Sequence, residues 1–133
     1  MSSRSITITG EMMANIDRSI NYIEFPLVDA DRTWAFYTTV FGWKFEKWHG
    51  NYISFTGAGI EGGFNGNSAS GLKVTEPGIL VLLYADDLDE IRSAVEENGG
   101  KILREPYDFP GGRRFHFADP NGIELVVWTK VAK

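Results

Sequence analysis

IEFPLVDADRTWAFYTTVFGWKFEKW, residues 23–48, and YADDLDEIRSAVEENGGKI, residues 84–102, decide the fold when set side by side. Each runs from an extended segment through an acidic cap into a helix, stops at glycine, and re-enters a strand. In the first, Ile20 to Phe25 alternate as a strand, and Asp29 or Asp31 can cap a helix. Trp34, Tyr37, Val40 and Phe41 then fall at helical spacing, and Gly42 ends the helix. In the second, Ile79 to Tyr84 form an apolar strand, read as buried on both faces. Asp86 or Asp87 caps a helix with Leu88, Ile91 and Val95 as its stripe, and Asn98-Gly99-Gly100 closes it.

Working outward completes the pattern. Trp43 to Trp48 and Tyr52 to Thr56 read as strands around a tight turn at His49-Gly50-Asn51, and Gly62 to Asn65 as a third short strand. In the second half Lys101 to Arg104, Arg113 to Ala118 and Ile123 to Thr129 are strands. The last two flank Asp119-Pro120-Asn121-Gly122, with Pro and Gly where a tight turn accepts them. A constant offset of 57 residues relates Asp29 to Asp86, Trp34 to Ile91, Gly42 to Gly99 and Phe45 to Ile102. The chain therefore reads βαβββ twice. One such unit cannot bury its own sheet, so two must pack together.

Composition narrows the function. With 133 residues the chain is one domain, and 43% hydrophobic against 23% charged residues makes it globular. A net charge of −5 without any basic run argues against nucleic acid and against anionic membranes. No apolar stretch approaches the roughly 20 residues of a membrane helix. The absence of cysteine removes disulfides, thiolate zinc sites and cysteine nucleophiles. The N-terminal MSSRSITITGEMM lacks an apolar signal core, and the expected location is cytoplasmic. EGGFNG and PGGRR lack the helix a phosphate loop requires.

The two quoted stretches, with EGGF in the first half and FADPNG at 117–122, resemble the vicinal oxygen chelate superfamily of glyoxalases, bleomycin resistance proteins and dioxygenases. The resemblance covers roughly residues 20–129. It implies an α+β fold of two βαβββ modules forming a curved mixed sheet, with helices on the outer face and two cups enclosing a pocket. The corresponding division is a tail at 1–17 and one domain at 18–130. Module one is about 18–66, the connector 67–76, and module two about 77–130.

In metal-using members of that family, four side chains from the first and last strands of each module hold a divalent ion. The matching positions here are Tyr22, Leu80, Gly63 or Phe64, and either Val126 or Glu124. Counting seven residues from Asp119 gives Val126, whereas a two-residue deletion after the turn gives Glu124. Neutral phenol and aliphatic side chains are poor ligands, so no metal site and no cofactor are expected. Without a metal, the cup would offer Tyr22, Glu24, Leu80, Leu82, His116, Glu124, Val126 and Trp128 to a small organic ligand. Trp43, Trp48, Tyr52 and Phe55 either stack against that ligand or pack in the core.

Three polar residues are candidates for chemistry. Glu24, enclosed by aromatics, would have a raised pKa and act as acid or base, or else would pair with Arg114 or the partner module. His116 is either a hydrogen-bonded sheet histidine or a ligand contact. Arg114, His116 and Ala118 should share a face with Glu124, Val126 and Trp128 across a regular hairpin. Of Arg113 and Arg114, only one can serve the pocket, because strand neighbours point to opposite faces. The leading expectation is a homodimeric, metal-independent protein that binds a hydrophobic or aromatic small molecule. The alternative is a divalent-metal-dependent glyoxalase-like lyase or ring-cleaving dioxygenase, recruiting Glu124 with His116 or Glu24. A third is a regulatory or accessory domain with a filled cup.

Overall fold

The computed structural model describes residues 16–67 and 79–131. Most of the expected tail, residues 1–15, and most of the connector, residues 68–76, lie outside the described residues. The element order is β1 (Tyr22–Pro26), α1 (Ala30–Phe41), β2 (Lys44–Lys47), β3 (Tyr52–Thr56), β4 (Glu61–Asn65), β5 (Val81–Tyr84), α2 (Leu88–Glu97), β6 (Lys101–Phe109), β7 (Gly112–Ala118) and β8 (Glu124–Lys130). This is βαβββ twice. The strands form two four-stranded mixed sheets with matching orders, β1-β4-β3-β2 and β5-β8-β7-β6. In each, the first strand runs parallel to the last and the other pairs are antiparallel.

Local chemistry explains both helices. The Asp29 carboxylate accepts from the Arg32 amide, and Asp87 does the same for Glu90. The second cap is therefore Asp87, one residue beyond the Asp86 of the sequence repeat. Gly42 closes α1 in the left-handed conformation at φ 76°, which costs a glycine nothing. The buried stripe of α1 is Thr33, Phe36, Tyr37 and Val40. Trp34, expected on that stripe, is 38% exposed and stacks on Phe45 at the surface. The stripe turns because α1 must reach two sheets at once. Tyr37 lies 5.2 Å from Phe64 of the first sheet, and Phe36 lies 5.9 Å from Phe117 of the second.

One core results, built from the helix-bearing faces of both sheets. Phe25, Ile53, Phe55 and Phe64 enter it from the first, and Phe115, Phe117, Leu125 and Val127 from the second. Each sheet keeps its other face open. β5 is thus not buried on both faces. Leu82 and Tyr84 are 43% and 44% exposed, because the helices cover only the opposite side.

The β7–β8 turn locks the modules together. Asn121 Oδ1 accepts from the Val28 amide at 2.6 Å and the Asp29 amide at 3.1 Å, at the entry to α1. Asp119 accepts from the amides of Asn121 and Ile123, and from the Tyr37 hydroxyl at 2.8 Å. Burial raises the Asp119 carboxyl above its ordinary range, against the pull of these hydrogen bonds. Burial also holds the Tyr37 phenol well above its usual value, reinforced by the charge of Asp119.

Candidate functional site

Strand register lays out the open face of the second sheet as two rows. One runs Tyr107–Arg114–Trp128–Tyr84 across β6, β7, β8 and β5, and the next runs Arg104–His116–Val126–Leu82. The face is polar over β6 and β7 and apolar over β8 and β5. The expected sharing of a face by Arg114, His116 and Ala118 with Glu124, Val126 and Trp128 holds, residue for residue.

A hydrogen-bonded chain crosses the polar half. Arg114 Nε donates to the Tyr107 hydroxyl at 2.6 Å. The hydroxyl oxygen lies 2.7 Å from His116 Nε2, and His116 Nδ1 lies 2.7 Å from Glu124 Oε2. Both ring nitrogens of His116 are therefore engaged, Nε2 with the phenol and Nδ1 with the carboxylate. The His116 side chain is 12% exposed and that of Glu124 33%. His116 is therefore a hydrogen-bonded sheet histidine whose neighbours still reach solvent. Arg104 lies over the Tyr107 ring at 3.6 Å from its centroid, a cation–π contact.

Tyr107 and Arg104 were not among the sequence candidates. Arg104 faces His116, and Tyr107 faces Arg114, so three residues of β6 span two of β7. This bulge puts residues 104 and 107 on one face, where strict alternation would separate them. Pro106 inside the strand is the signal that could have marked it, since proline in a sheet sits at edges or bulges.

The open face of the first sheet carries a second cluster. Tyr52 donates to Glu24 Oε2 at 2.9 Å, Asn65 Nδ2 to Glu24 Oε1 at 3.3 Å, and the hydroxyls of Tyr22 and Tyr52 are bonded to each other. Burial, then the bonds to Tyr22 and Glu24, raise the Tyr52 phenol far above its usual value, so it stays a donor. Glu24 is exposed instead of enclosed by aromatics, and within the chain it bonds Tyr52 and Asn65, not Arg114. The Trp48 indole donates to Ser54 on this same sheet and is 51% exposed.

The two polar clusters do not meet within the chain. The sheets are joined through their helix-bearing faces, so Tyr22 and Glu24 close on their own sheet, and His116 and Glu124 on theirs. Trp43 and Phe55 belong to neither face. They stack 4.5 Å apart in the core, with Trp43 also 4.5 Å from Tyr37. A cavity of about 410 Å³ between the modules touches both, together with Phe25, Phe41, Leu82 and Tyr84. Tyr84 supplies its one titratable side chain, and the lining is otherwise aliphatic and aromatic side chains with backbone. Leu82 and Tyr84 connect it to the open face of the second sheet. Leu80 lies just ahead of β5, half-buried.

The residues at the metal positions do not fit a metal. Of the expected positions, Tyr22 is bonded to the Tyr52 hydroxyl, Leu80 offers no donor atom, and Gly63 stands beside Glu24 in the strand register. A Cβ at Gly63 would collide with the Tyr52 phenol, which occupies the space a ligating side chain would need there. Val126 is fully buried, and Glu124 is held by His116. Among the described residues, no group of three or more His, Asp or Glu could hold a metal ion.

Comparison with known proteins gives a consistent picture. The family model of the Glyoxalase/Bleomycin resistance protein/Dioxygenase superfamily matches residues 19–127. The chain is 32% identical over 116 residues to the anthracycline biosynthesis protein DnrV of Streptomyces peucetius, covering 71% of this chain and 41% of that protein. It thus spans about two-fifths of the length of this relative. It is also 32% identical over 124 residues to a glyoxylase-like domain-containing protein of Didymella fabae, covering 86% and 95% of the two chains. Among solved structures, the antibiotic binding protein TnmS3 from Streptomyces sp. CB03234 superposes with a TM-score of 0.67 at 20% identity, over 87% of this chain and 99% of the other.

Proposed function

Because the chain belongs to the Glyoxalase/Bleomycin resistance protein/Dioxygenase superfamily, we propose that it binds a small hydrophobic or aromatic molecule against the open face of its second sheet, without a metal. The observation that carries this reading is the division of that face. Leu82, Trp128 and Tyr84 form an apolar surface, over a buried Val126, beside the polar chain Arg114–Tyr107–His116–Glu124. Such a surface buries a planar ring and fixes its orientation through few polar groups. DnrV and TnmS3, named for anthracycline biosynthesis and antibiotic binding, are consistent with a ligand of this kind. Gly63 under Tyr52 and the buried Val126 support the absence of a metal.

The proposal includes a homodimer. An open sheet face with Leu82 and Tyr84 more than two-fifths exposed is half a binding cleft. A second copy would supply the facing wall, with its Tyr22, Tyr52 and Glu24. Sedimentation should report twice the chain mass, and Leu82→Arg should give monomers that no longer bind ligand.

The function itself is tested by a thermal-shift screen against planar aromatic compounds, with and without EDTA. Binders should raise the melting temperature by mass action, equally in both conditions, and Trp128→Ala should abolish the shift. Stoichiometric Mn, Fe, Ni or Zn in the purified protein, lost on Glu124→Ala, would replace this reading with the metal-dependent lyase or dioxygenase.

A further inference from the structure

The arginines of the second sheet are unevenly used. Every carboxylate in the strands of this sheet has a cationic or histidine partner. Glu105 is bound by Arg92 at 2.6 Å, Asp108 lies 3.5 Å from Arg113, and Glu124 is held by His116 at 2.7 Å. Arg104 and Arg114 have no ion pair among the described residues. Yet both are gathered about Tyr107: the Arg104 guanidinium carbon is 3.6 Å from its ring centroid, and that of Arg114 sits between the Phe109 and Tyr107 rings at 5.2 Å and 5.5 Å. In a chain of net charge −5, two unneutralised cations drawn to one phenol are an arrangement that an anion would relieve.

We infer that the Arg104–Tyr107–Arg114 cluster is an anion clamp, and that the ligand is a planar aromatic carboxylate. This deepens the reading of the open face as a small-molecule site and rests on it. A guanidinium offers a planar fork that matches a carboxylate, and Arg114 uses only its Nε on Tyr107. The Arg104 side chain makes no hydrogen bond among the described residues, so its fork is also available. The ring surface stands beside the clamp. Arg114 is the cross-strand neighbour of Trp128, and Trp128 meets Tyr84 and Phe109 edge-on at 5.0 Å and 6.1 Å. Neighbouring strands lie about 5 Å apart, so the acid belongs directly on the ring or one or two atoms from it, not on a long tether. Glu124 stands on the far side of His116 from Tyr107, and its bond to Nδ1 keeps its charge engaged.

The test is calorimetric titration of the full chain with 2-naphthoate and with its neutral isostere 2-naphthamide. Naphthoate should bind about tenfold more tightly, the scale of a charge-assisted hydrogen bond in a partly exposed site. Arg104→Met and Arg114→Met should each bring the ratio of acid to amide affinity close to one. Arg104→Met is the decisive variant, because it breaks no hydrogen bond and so leaves the sheet intact. Arg113→Met, on the opposite face of β7, should change neither affinity. Equal affinities for the acid and the amide would overturn the clamp while leaving the aromatic site standing. If neither compound binds, both readings fall.

Discussion

Replacing Asn121 by alanine should cost about 3 kcal/mol of stability, although residue 121 belongs to a four-residue turn. Its side-chain oxygen receives the amides of Val28 and Asp29, more than 90 residues earlier in the chain. The Thr33 hydroxyl also approaches at 3.1 Å, but its single proton is already given to the Asp29 carbonyl at 2.6 Å. The magnitude therefore rests on two amides. An unsatisfied buried donor costs about 1–3 kcal/mol, and the Val28 amide, beside an exposed side chain, regains part of this from water. Loss of the Asn121 Nδ2 bond to Asp119 at 3.2 Å adds a smaller amount. Urea unfolding followed by circular dichroism reads the result. With a slope near 1.5 kcal/mol per molar urea, the midpoint should fall by about 2 M. A loss under about 1 kcal/mol would refute the idea that this turn locks the second module onto the first helix.

Three further outcomes follow from the same geometry. Gly63→Ala should destabilise by about 1–3 kcal/mol through collision with Tyr52, and the cost should shrink when Tyr52 is also alanine, as a double-mutant cycle would show. Trp43→Ala should cost about 3–5 kcal/mol in urea unfolding, as a core ring stacked between Tyr37 and Phe55 rather than a ligand contact. Asp119 has a carboxyl pKa raised by burial, so the folded state binds its proton more tightly than the unfolded chain does. The corresponding stability is complete below the ordinary aspartate pKa, near 4, and is lost as pH rises through the raised value. Subtracting the stability–pH curve of Asp119→Asn from that of the parent should isolate this downward step, and a difference rising with pH would contradict it.

The sequence carried the architecture because the architecture is local chemistry written twice. Capping aspartates, glycine stops and apolar spacing repeat at a near-constant offset, and two sheets of the same strand order result. The open face of β7 and β8 was equally legible. A regular hairpin fixes parity, so His116, Val126 and Trp128 could be placed on one surface from residue numbers alone. The residue types at the expected metal positions, Tyr22, Leu80 and Val126, needed no structure to name.

Tertiary structure decided the rest. Tyr107 joins Arg104 only because a bulge at Glu105-Pro106 reverses the side-chain alternation of β6, and one inserted residue is enough to do so. Trp43 and Phe55 went to the core because α1 packs against both sheets, and an aromatic near a predicted cup cannot be assigned to its lining until the helix is docked. The same docking turned Trp34 outward and left Leu82 and Tyr84 uncovered. Asn121 had the composition of an ordinary turn, and its partners at Val28 and Asp29 are set by how the modules meet. Periodicity reports which faces an element has. Which face is buried, and against what, is fixed only when the elements pack.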